Sequence, residues 1–160
     1  MFRTTIAMML VVAAVGCGKK KDEDKAGTGK PSEGAAAAQK LPKLGLSISV
    51  DGDVTFGDAI MGEGDLVTGS SVGALQVETW KKPQTIDEAK EDASAFNPKN
   101  LKADTLPDGW ALSYDNTGSM GANYFVTVRR DIGGKSYKCS TTVSEAEQQK
   151  GALAACKSLK

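Results

Sequence analysis

Apolar and polar side chains alternate residue by residue in several short runs of this 160-residue chain. The first run places Leu44, Leu46, Ile48 and Val50 on one side, with glycine or serine between them. The same alternation returns in three later runs: Trp110, Leu112 and Tyr114; Tyr124, Val126 and Val128; and Tyr137, Cys139, Thr141 and Val143. Because successive side chains of a strand point to opposite faces, this pattern predicts half-buried strands of an antiparallel sheet.

Two segments have helical periodicity instead. One begins at a capping box formed by Thr85 and Glu88, and the other at the same spacing between Ser144 and Glu147. Apolar residues follow at helical spacing: Ile86, Ala89, Ala93 and Phe96 in the first, and Leu153, Cys156 and Leu159 in the second. The order strands, helix, strands, helix predicts an α+β fold, an antiparallel β-sheet meander with two helices packed on it as a sandwich.

Over residues 44–160 this order of elements resembles the Mog1/PsbP-type fold, whose members serve as accessory or binding modules. Only the element order carries the resemblance, and no specific motif accompanies it. The resemblance therefore implies a single α+β domain over residues 44–160 and an accessory or binding role, but it transfers no functional residues.

The N-terminus has the features of an export signal. Arg3 precedes an uncharged apolar run, Ile6–Val15. As a helix this run would span only about 15 Å, half of a bilayer's hydrocarbon core, which is typical of a signal peptide. The residues Ala14-Val15-Gly16-Cys17 that follow resemble the lipobox of bacterial lipoproteins. The resemblance implies removal of residues 1–16 and attachment of diacylglycerol and palmitate to Cys17, which would anchor the chain to a membrane.

The residue after Cys17 is Gly18. In Gram-negative lipoproteins an aspartate at this position commonly marks retention in the inner membrane. The resemblance therefore implies the cell envelope, and the outer membrane rather than the inner one. The alternative is an ordinary secretory signal with an incidental cysteine.

A polar segment separates Cys17 from the first alternating run. Residues 18–42 hold six lysines and four acidic residues among glycine, alanine, proline and serine. With almost no large apolar side chain, such a segment cannot offset its ordering entropy by burial. We therefore predict that residues 17–43 are the lipidated cysteine and a flexible tether.

Composition excludes several functions. The chain has no histidine, and hence no imidazole base and no histidine metal ligand. Without residues 1–16 the side chains carry 19 positive and 20 negative charges, a net charge of −1. That balance argues against nucleic-acid binding, which needs a concentrated basic surface. We expect no metal and no cofactor.

With Cys17 assigned to the lipid, Cys139 and Cys156 remain as a pair. Alternation places Cys139 on the apolar face of the last strand, and helical spacing places Cys156 on the apolar stripe of the last helix. Export would bring both into an oxidising compartment, which favours a disulfide over two buried free thiols.

The Gly-rich segment NTGSMGANY is the candidate binding loop, with Asn116, Ser119, Met120 and Asn123 as its contact residues. Trp110 and Tyr124 flank it. The alternation of these two aromatic residues also fits simple core filling.

Acidic residues offer two further kinds of site. A run with calcium-ligand chemistry contains Asp51, Asp53, Asp58, Glu63 and Asp65, but its spacing does not fit an EF-hand and plain turns explain it equally. Two pairs with the chemistry of glycoside hydrolysis are Glu88 with Glu91 and Asp104 with Asp108.

No residue set assembles a catalytic site, so we expect a non-enzymatic envelope lipoprotein that binds or supports another envelope protein. Two rivals stay open. A carrier of a small ligand or lipid would need a deep apolar cavity, and a carboxylate-dependent hydrolase would need two acids converging in a cleft.

Overall fold

The strands predicted from alternation come together in one large antiparallel sheet. The computed structural model describes residues 36–119 and 121–160. Its elements, in chain order, are β1 (Ala37–Lys40), β2 (Ser47–Val50), β3 (Val54–Asp58), β4 (Gly64–Gly69), β5 (Gly73–Thr79), α1 (Ile86–Ser94), β6 (Lys99–Leu106), β7 (Gly109–Gly118), β8 (Gly121–Ile132), β9 (Lys135–Val143) and α2 (Ala146–Lys157).

Seven strands form this sheet in the order β3-β4-β5-β9-β8-β7-β6, and each strand is antiparallel to its neighbours. Two meanders, β3 to β5 and β6 to β9, join where β5 pairs with β9. The hairpin between β8 and β9 turns at Gly133 and Gly134, which both have the positive φ that a tight two-residue turn requires. The predicted α+β fold, an antiparallel sheet with two helices packed on it, is confirmed.

The two helices lie on opposite faces of the sheet. Along β7, Ala111 belongs to the apolar cluster that contains the buried residues of α2, whereas Leu112 belongs to the cluster that contains the buried residues of α1. Because neighbouring residues of a strand face opposite ways, these two clusters are on opposite sides of the sheet. The β1–β2 hairpin shares the α2 side through Ile48 and Val50.

The domain begins earlier than predicted. Ala37–Lys40 forms β1 and pairs with β2, and Leu41 is fully buried in the α2-side cluster. The boundary placed at residue 44 is therefore wrong, and the predicted tether, residues 17–43, is too long at its C-terminal end. The sequence of β1 shows no alternation of apolar and polar residues, because none of its side chains is fully buried. The strand forms through its backbone pairing with β2. Residues 1–35, with Cys17 and the lipobox, lie outside the described residues.

Asp65 holds this early segment against the sheet. Its buried carboxylate accepts hydrogen bonds from the backbone N–H groups of Lys43 and Leu44, each at 3.0 Å. A buried charge is tolerated when donors of this kind replace its water shell. The turn between β1 and β2 is thus fixed to the start of β4.

Helix α2 closes the fold from the C-terminal end. Its predicted capping box is wrong: the N-cap residue is Glu145, which makes no side-chain capping bond, and Glu147 instead pairs with Lys150 at 2.6 Å. Cys156 of the helix and Cys139 of β9 are placed as a disulfide, with Cα atoms 5.6 Å apart and both side chains fully buried. The predicted pairing of these cysteines agrees with this geometry.

Candidate functional site

The face of the sheet that carries α1 is only partly covered. Helix α1 packs its buried Ala89 and Ala93 over Trp110, Leu112 and Tyr114 of β7. Beside it a cleft crosses β8, β9 and β5 and ends at the loop between β3 and β4, residues 59–63. We call this feature the α1–loop cleft.

The α1–loop cleft has two adjoining sections. The larger, about 450 Å³, is lined by the loop and by strands β4, β5, β8 and β9, and the smaller, about 260 Å³, lies beside α1. Thr127 and Lys138 line both sections, so the cleft is continuous from the loop to the helix. Across the sheet, the cleft spans the three strands β8, β9 and β5, which lie about 4.8 Å apart.

Polar side chains form the floor of the cleft. In register across the sheet, Gln76 of β5 pairs with Ser140 of β9, and Ser140 pairs with Thr127 of β8. In the next row Glu78 pairs with Lys138, and their charged groups lie 3.7 Å apart. The floor therefore offers hydroxyl and amide groups. Its charged residues, Glu78 and Lys138, neutralise each other.

Gln76 also builds the loop wall of the cleft. Its Oε1 accepts from the backbone N–H of Ile60 at 3.2 Å, and its Nε2 donates to the carbonyl of Met61 at 3.0 Å. These bonds hold the loop while its side chains project outward: Ile60 is 77% exposed and Met61 is 70% exposed. Gly62 permits the turn, because its φ of 86° lies in the left-handed region that side chains disfavour.

Aromatic side chains form the opposite wall. Phe125 stacks on Tyr114 with ring centroids 4.6 Å apart, and Phe96 lies 6.1 Å from Phe125. Phe96 was predicted on the buried face of the first helix, but α1 ends at Ser94 and Phe96 is 53% exposed. Burial raises the pKa of Tyr114. Apolar side chains therefore stand on both sides of a polar floor.

Helix α1 is fixed by the capping box that its sequence predicts. Thr85 accepts from the N–H of Glu88, and the Glu88 carboxylate accepts from the N–H of Thr85 at 2.7 Å. The hydrogen bonds from Thr85 lower the pKa of Glu88. Asp92, on the same flank of the helix, lines the cleft and accepts from Gln84 at 2.6 Å.

The predicted binding loop adjoins the aromatic wall. Asn123 donates to Asn116 at 3.3 Å, and Asn116 donates to the carbonyl of Phe96 at 3.3 Å. These asparagines thus tie the β7–β8 hairpin to the segment after α1. Ser119 is exposed in the hairpin turn, and Met120 lies outside the described residues.

The aromatic residues that flank the predicted loop have different surroundings. Trp110 is buried, and its indole N–H donates to the carbonyl of Gln84 at 3.0 Å. Tyr124 is half-buried. Core filling therefore accounts for Trp110, which makes a T-shaped contact with Trp80 at 5.9 Å.

The carboxylates considered for catalysis have structural partners. Asp104 binds Lys157 at 2.6 Å, which lowers the pKa of Asp104. Asp108 receives two hydrogen bonds from the guanidinium of Arg130, at 2.9 and 2.8 Å. A general acid at neutral pH needs a raised pKa, and these contacts act in the other direction for Asp104.

The acidic run considered for calcium is spread over separate contacts. Asp58 pairs with Lys43 at 2.7 Å, and Asp65 faces inward to the turn described above. Asp51, Asp53 and Glu63 are exposed. Among residues 36–119 and 121–160, the acidic and cysteine side chains form no group of three placed to hold a metal ion.

Sequence reasoning missed Ile60, Met61 and Gln76. The signal for the first two was present, since they are the large apolar residues of a loop otherwise made of alanine, glycine and acids. No signal marked Gln76, because its role depends on where β5 lies relative to the loop.

No protein-family model and no curated protein sequence matches this chain. In the described part of the chain, neither helix is long and apolar enough to cross a membrane.

Proposed function

We propose that this protein is a lipid-anchored lipoprotein of the cell envelope whose α+β domain binds another envelope protein without catalysis. The observation that carries the binding role is the exposure of Ile60, Met61 and Phe96 along one cleft. Single exposed apolar side chains are ordinary on a protein surface, but a group of them around a concave surface is typical of an interaction site.

The chemistry of the α1–loop cleft suits a protein partner. Its apolar walls would contact apolar side chains, and its floor would supply hydrogen bonds through Thr127, Ser140 and Thr142. The ion pair between Glu78 and Lys138 leaves the floor without a strong field of either sign. An amphipathic segment of a protein meets both requirements.

The two rival functions have less support. A lipid carrier would enclose its ligand in a deep apolar cavity, whereas the α1–loop cleft is open and has a polar floor. A hydrolase would need two carboxylates directed at one substrate, whereas Asp104, Asp108 and Glu88 bind a lysine, an arginine and a helix N-terminus.

Site-specific photo-cross-linking in the native envelope tests the cleft. A photoreactive amino acid at Met61 or at Phe96, each in the full chain, should capture the same partner. The matched control is Lys150, whose side chain is 71% exposed on the opposite face of the domain. If the two cleft positions capture nothing, or if position 150 captures the same protein equally well, the cleft is not the interaction surface.

The lipid anchor is tested separately. Mass spectrometry of the membrane fraction should find an acylated N-terminus at Cys17. The variant Cys17→Ser should move to the soluble fraction. A wild-type protein as soluble as this variant would contradict the anchor while leaving the cleft experiment valid.

A further inference from the structure

The two edges of the seven-stranded sheet differ in their protection against pairing with another chain. The outer strand β6 carries Lys99 and Lys102, and its register with β7 shifts between them at Asn100, which has φ 51°. Bulges and edge lysines are the usual devices that prevent edge-to-edge association. The other outer strand, β3, has an unbroken register with β4 and contains neither lysine nor proline.

The free edge of β3 presents a regular row of backbone groups. The N–H of Ala59 donates to the carbonyl of Gly64 at 3.2 Å, which makes these two residues a hydrogen-bonded pair at the end of the β3–β4 ladder. Bonded and non-bonded pairs alternate in an antiparallel ladder, so Val54, Phe56 and Asp58 direct their N–H and C=O groups outward. Among the described residues, no group hydrogen-bonds to this row.

We propose that β3 pairs antiparallel with β3 of a second copy of this chain, which joins the two sheets into one. In the register centred on Phe56, this residue faces Phe56 of the partner subunit and Val54 faces Asp58 of the partner subunit. Each outward N–H then meets an outward carbonyl across the junction.

The side chains of β3 are complementary to themselves in this register. Asp58 is the strand's one ionisable residue, and it faces a valine, so no like charges are opposed. The two copies of Phe56, half-buried within each subunit, form a cross-strand aromatic pair. The strand is thus complementary to itself about Phe56, and for that reason we assign the edge to a second copy.

The pairing has a consequence for the α1–loop cleft. A two-fold axis normal to the joined sheet keeps each face on its own side. Both copies of α1 then lie on one face and both copies of α2 on the other, so the dimer presents two clefts in the same direction. This consequence does not depend on which partner the cleft binds, and failure of either proposal leaves the other testable.

A five-residue strand makes a small junction, below the size of a stable interface of about 1,000 Å². Association should therefore be weak in dilute solution. Confinement of the full chain at a membrane would raise the effective concentration and favour the pair. The experiment is accordingly performed on the full chain in its native membrane.

Disulfide trapping tests the register. Thr55 faces Gly57 of the partner subunit in the proposed pair, so co-expressed full chains carrying Thr55→Cys and Gly57→Cys, with different tags, should form a cross-linked dimer on mild oxidation. Either variant alone would place its cysteines about 8 Å apart, which is too far for a disulfide. We expect the mixture to cross-link roughly tenfold faster than either variant alone.

Two controls accompany the trapping experiment. Thr105→Cys places a cysteine on β6, the opposite edge, and the wild-type chain reports any background cross-link through its own cysteines. If the mixture cross-links no faster than the single variants or than Thr105→Cys, the proposed pairing is wrong. Equal cross-linking of Thr55→Cys alone would indicate a different register and would also overturn it.

A charge variant provides a second measurement. The double variant of Thr55→Lys with Gly57→Lys opposes lysines across the junction, and Gly57 has room because the nearest atom to an added Cβ is 4.0 Å away. Energy transfer between two differently labelled copies of the full chain in its native membrane should show association roughly tenfold weaker than for wild type. Thr105→Lys should leave association unchanged. Undiminished association of a folded double variant would contradict the pairing, and if this variant does not fold, disulfide trapping alone decides.

Discussion

Removal of the bond between Cys139 and Cys156 should destabilise the domain by about 3 kcal/mol. The perturbation is the double variant Cys139→Ala with Cys156→Ala, which leaves no free thiol at either position. The two cysteines are 17 residues apart, and a cross-link of that span restricts the unfolded chain while joining α2 to β9 in the folded one. For a domain of this size the loss corresponds to a fall in melting temperature of about 10 °C.

Urea unfolding followed by tryptophan fluorescence measures this loss. A reductant should lower the stability of the wild-type protein by a similar amount and leave the double variant unchanged. The slope of free energy against urea should rise in the variant, because a chain without the cross-link exposes more surface when unfolded. Cys17→Ser is the control for effects of the third cysteine. A loss below about 1 kcal/mol, or an equal response of both proteins to reductant, would refute the loop-entropy reasoning.

Three further predictions concern the start of the domain, the cleft and helix α1. Leu41→Ala should lower the free energy of unfolding by about 2–5 kcal/mol, because the side chain is fully buried. Unchanged stability would show that Leu41 is not part of the folded core. Gln76→Ala should speed amide hydrogen exchange at Ile60, whose N–H loses its acceptor, and an unchanged rate would show that the loop is held by other contacts. The lowered pKa of Glu88 means that its capping contribution is present above about pH 4.5 and is lost as pH falls through the lowered value. Wild type should therefore lose more stability in acid than Glu88→Gln, and parallel pH profiles would contradict the capping role.

The strands and their buried faces could be predicted where the pattern is local. Tyr137, Cys139, Thr141 and Val143 alternate in the sequence, and all four are buried in the last strand. Cys156 was placed on the apolar stripe of the last helix by spacing alone, and it meets Cys139 as expected. Alternation and helical period are patterns among neighbouring residues. They predict the buried face of an element because one side of each strand or helix must face the core.

The strand at the start of the domain could not be predicted in this way. Ala37–Lys40 carries small and polar side chains, and its pairing with β2 depends on contacts that form only after the sheet exists. Leu41 is buried because Asp65, distant in sequence, fixes the turn that follows it. Long-range contacts of this kind have no periodic signature.

The candidate site was predicted only at its margin. Asn116 and Asn123 lie beside the aromatic wall, where they bond to each other and to the segment after α1. The floor of the cleft and much of its walls come from β4, β5, β8 and β9, whose adjacency follows from the order of strands in the sheet. Local sequence determines each strand, but it does not determine which strand lies next to which.

The difference in cover between the two faces explains why the cleft exists. Seven strands span roughly 29 Å from edge to edge, and one helix covers about 10 Å of that width. On one face α2 and the β1–β2 hairpin together bury side chains from β4 to β7. On the other face α1, a helix of 9 residues, covers only the end near β7. The uncovered strands on that side carry mainly hydroxyl, amide and charged groups, with Leu66 as a large apolar exception. The domain can therefore expose them without a partner, while the apolar walls remain available to one.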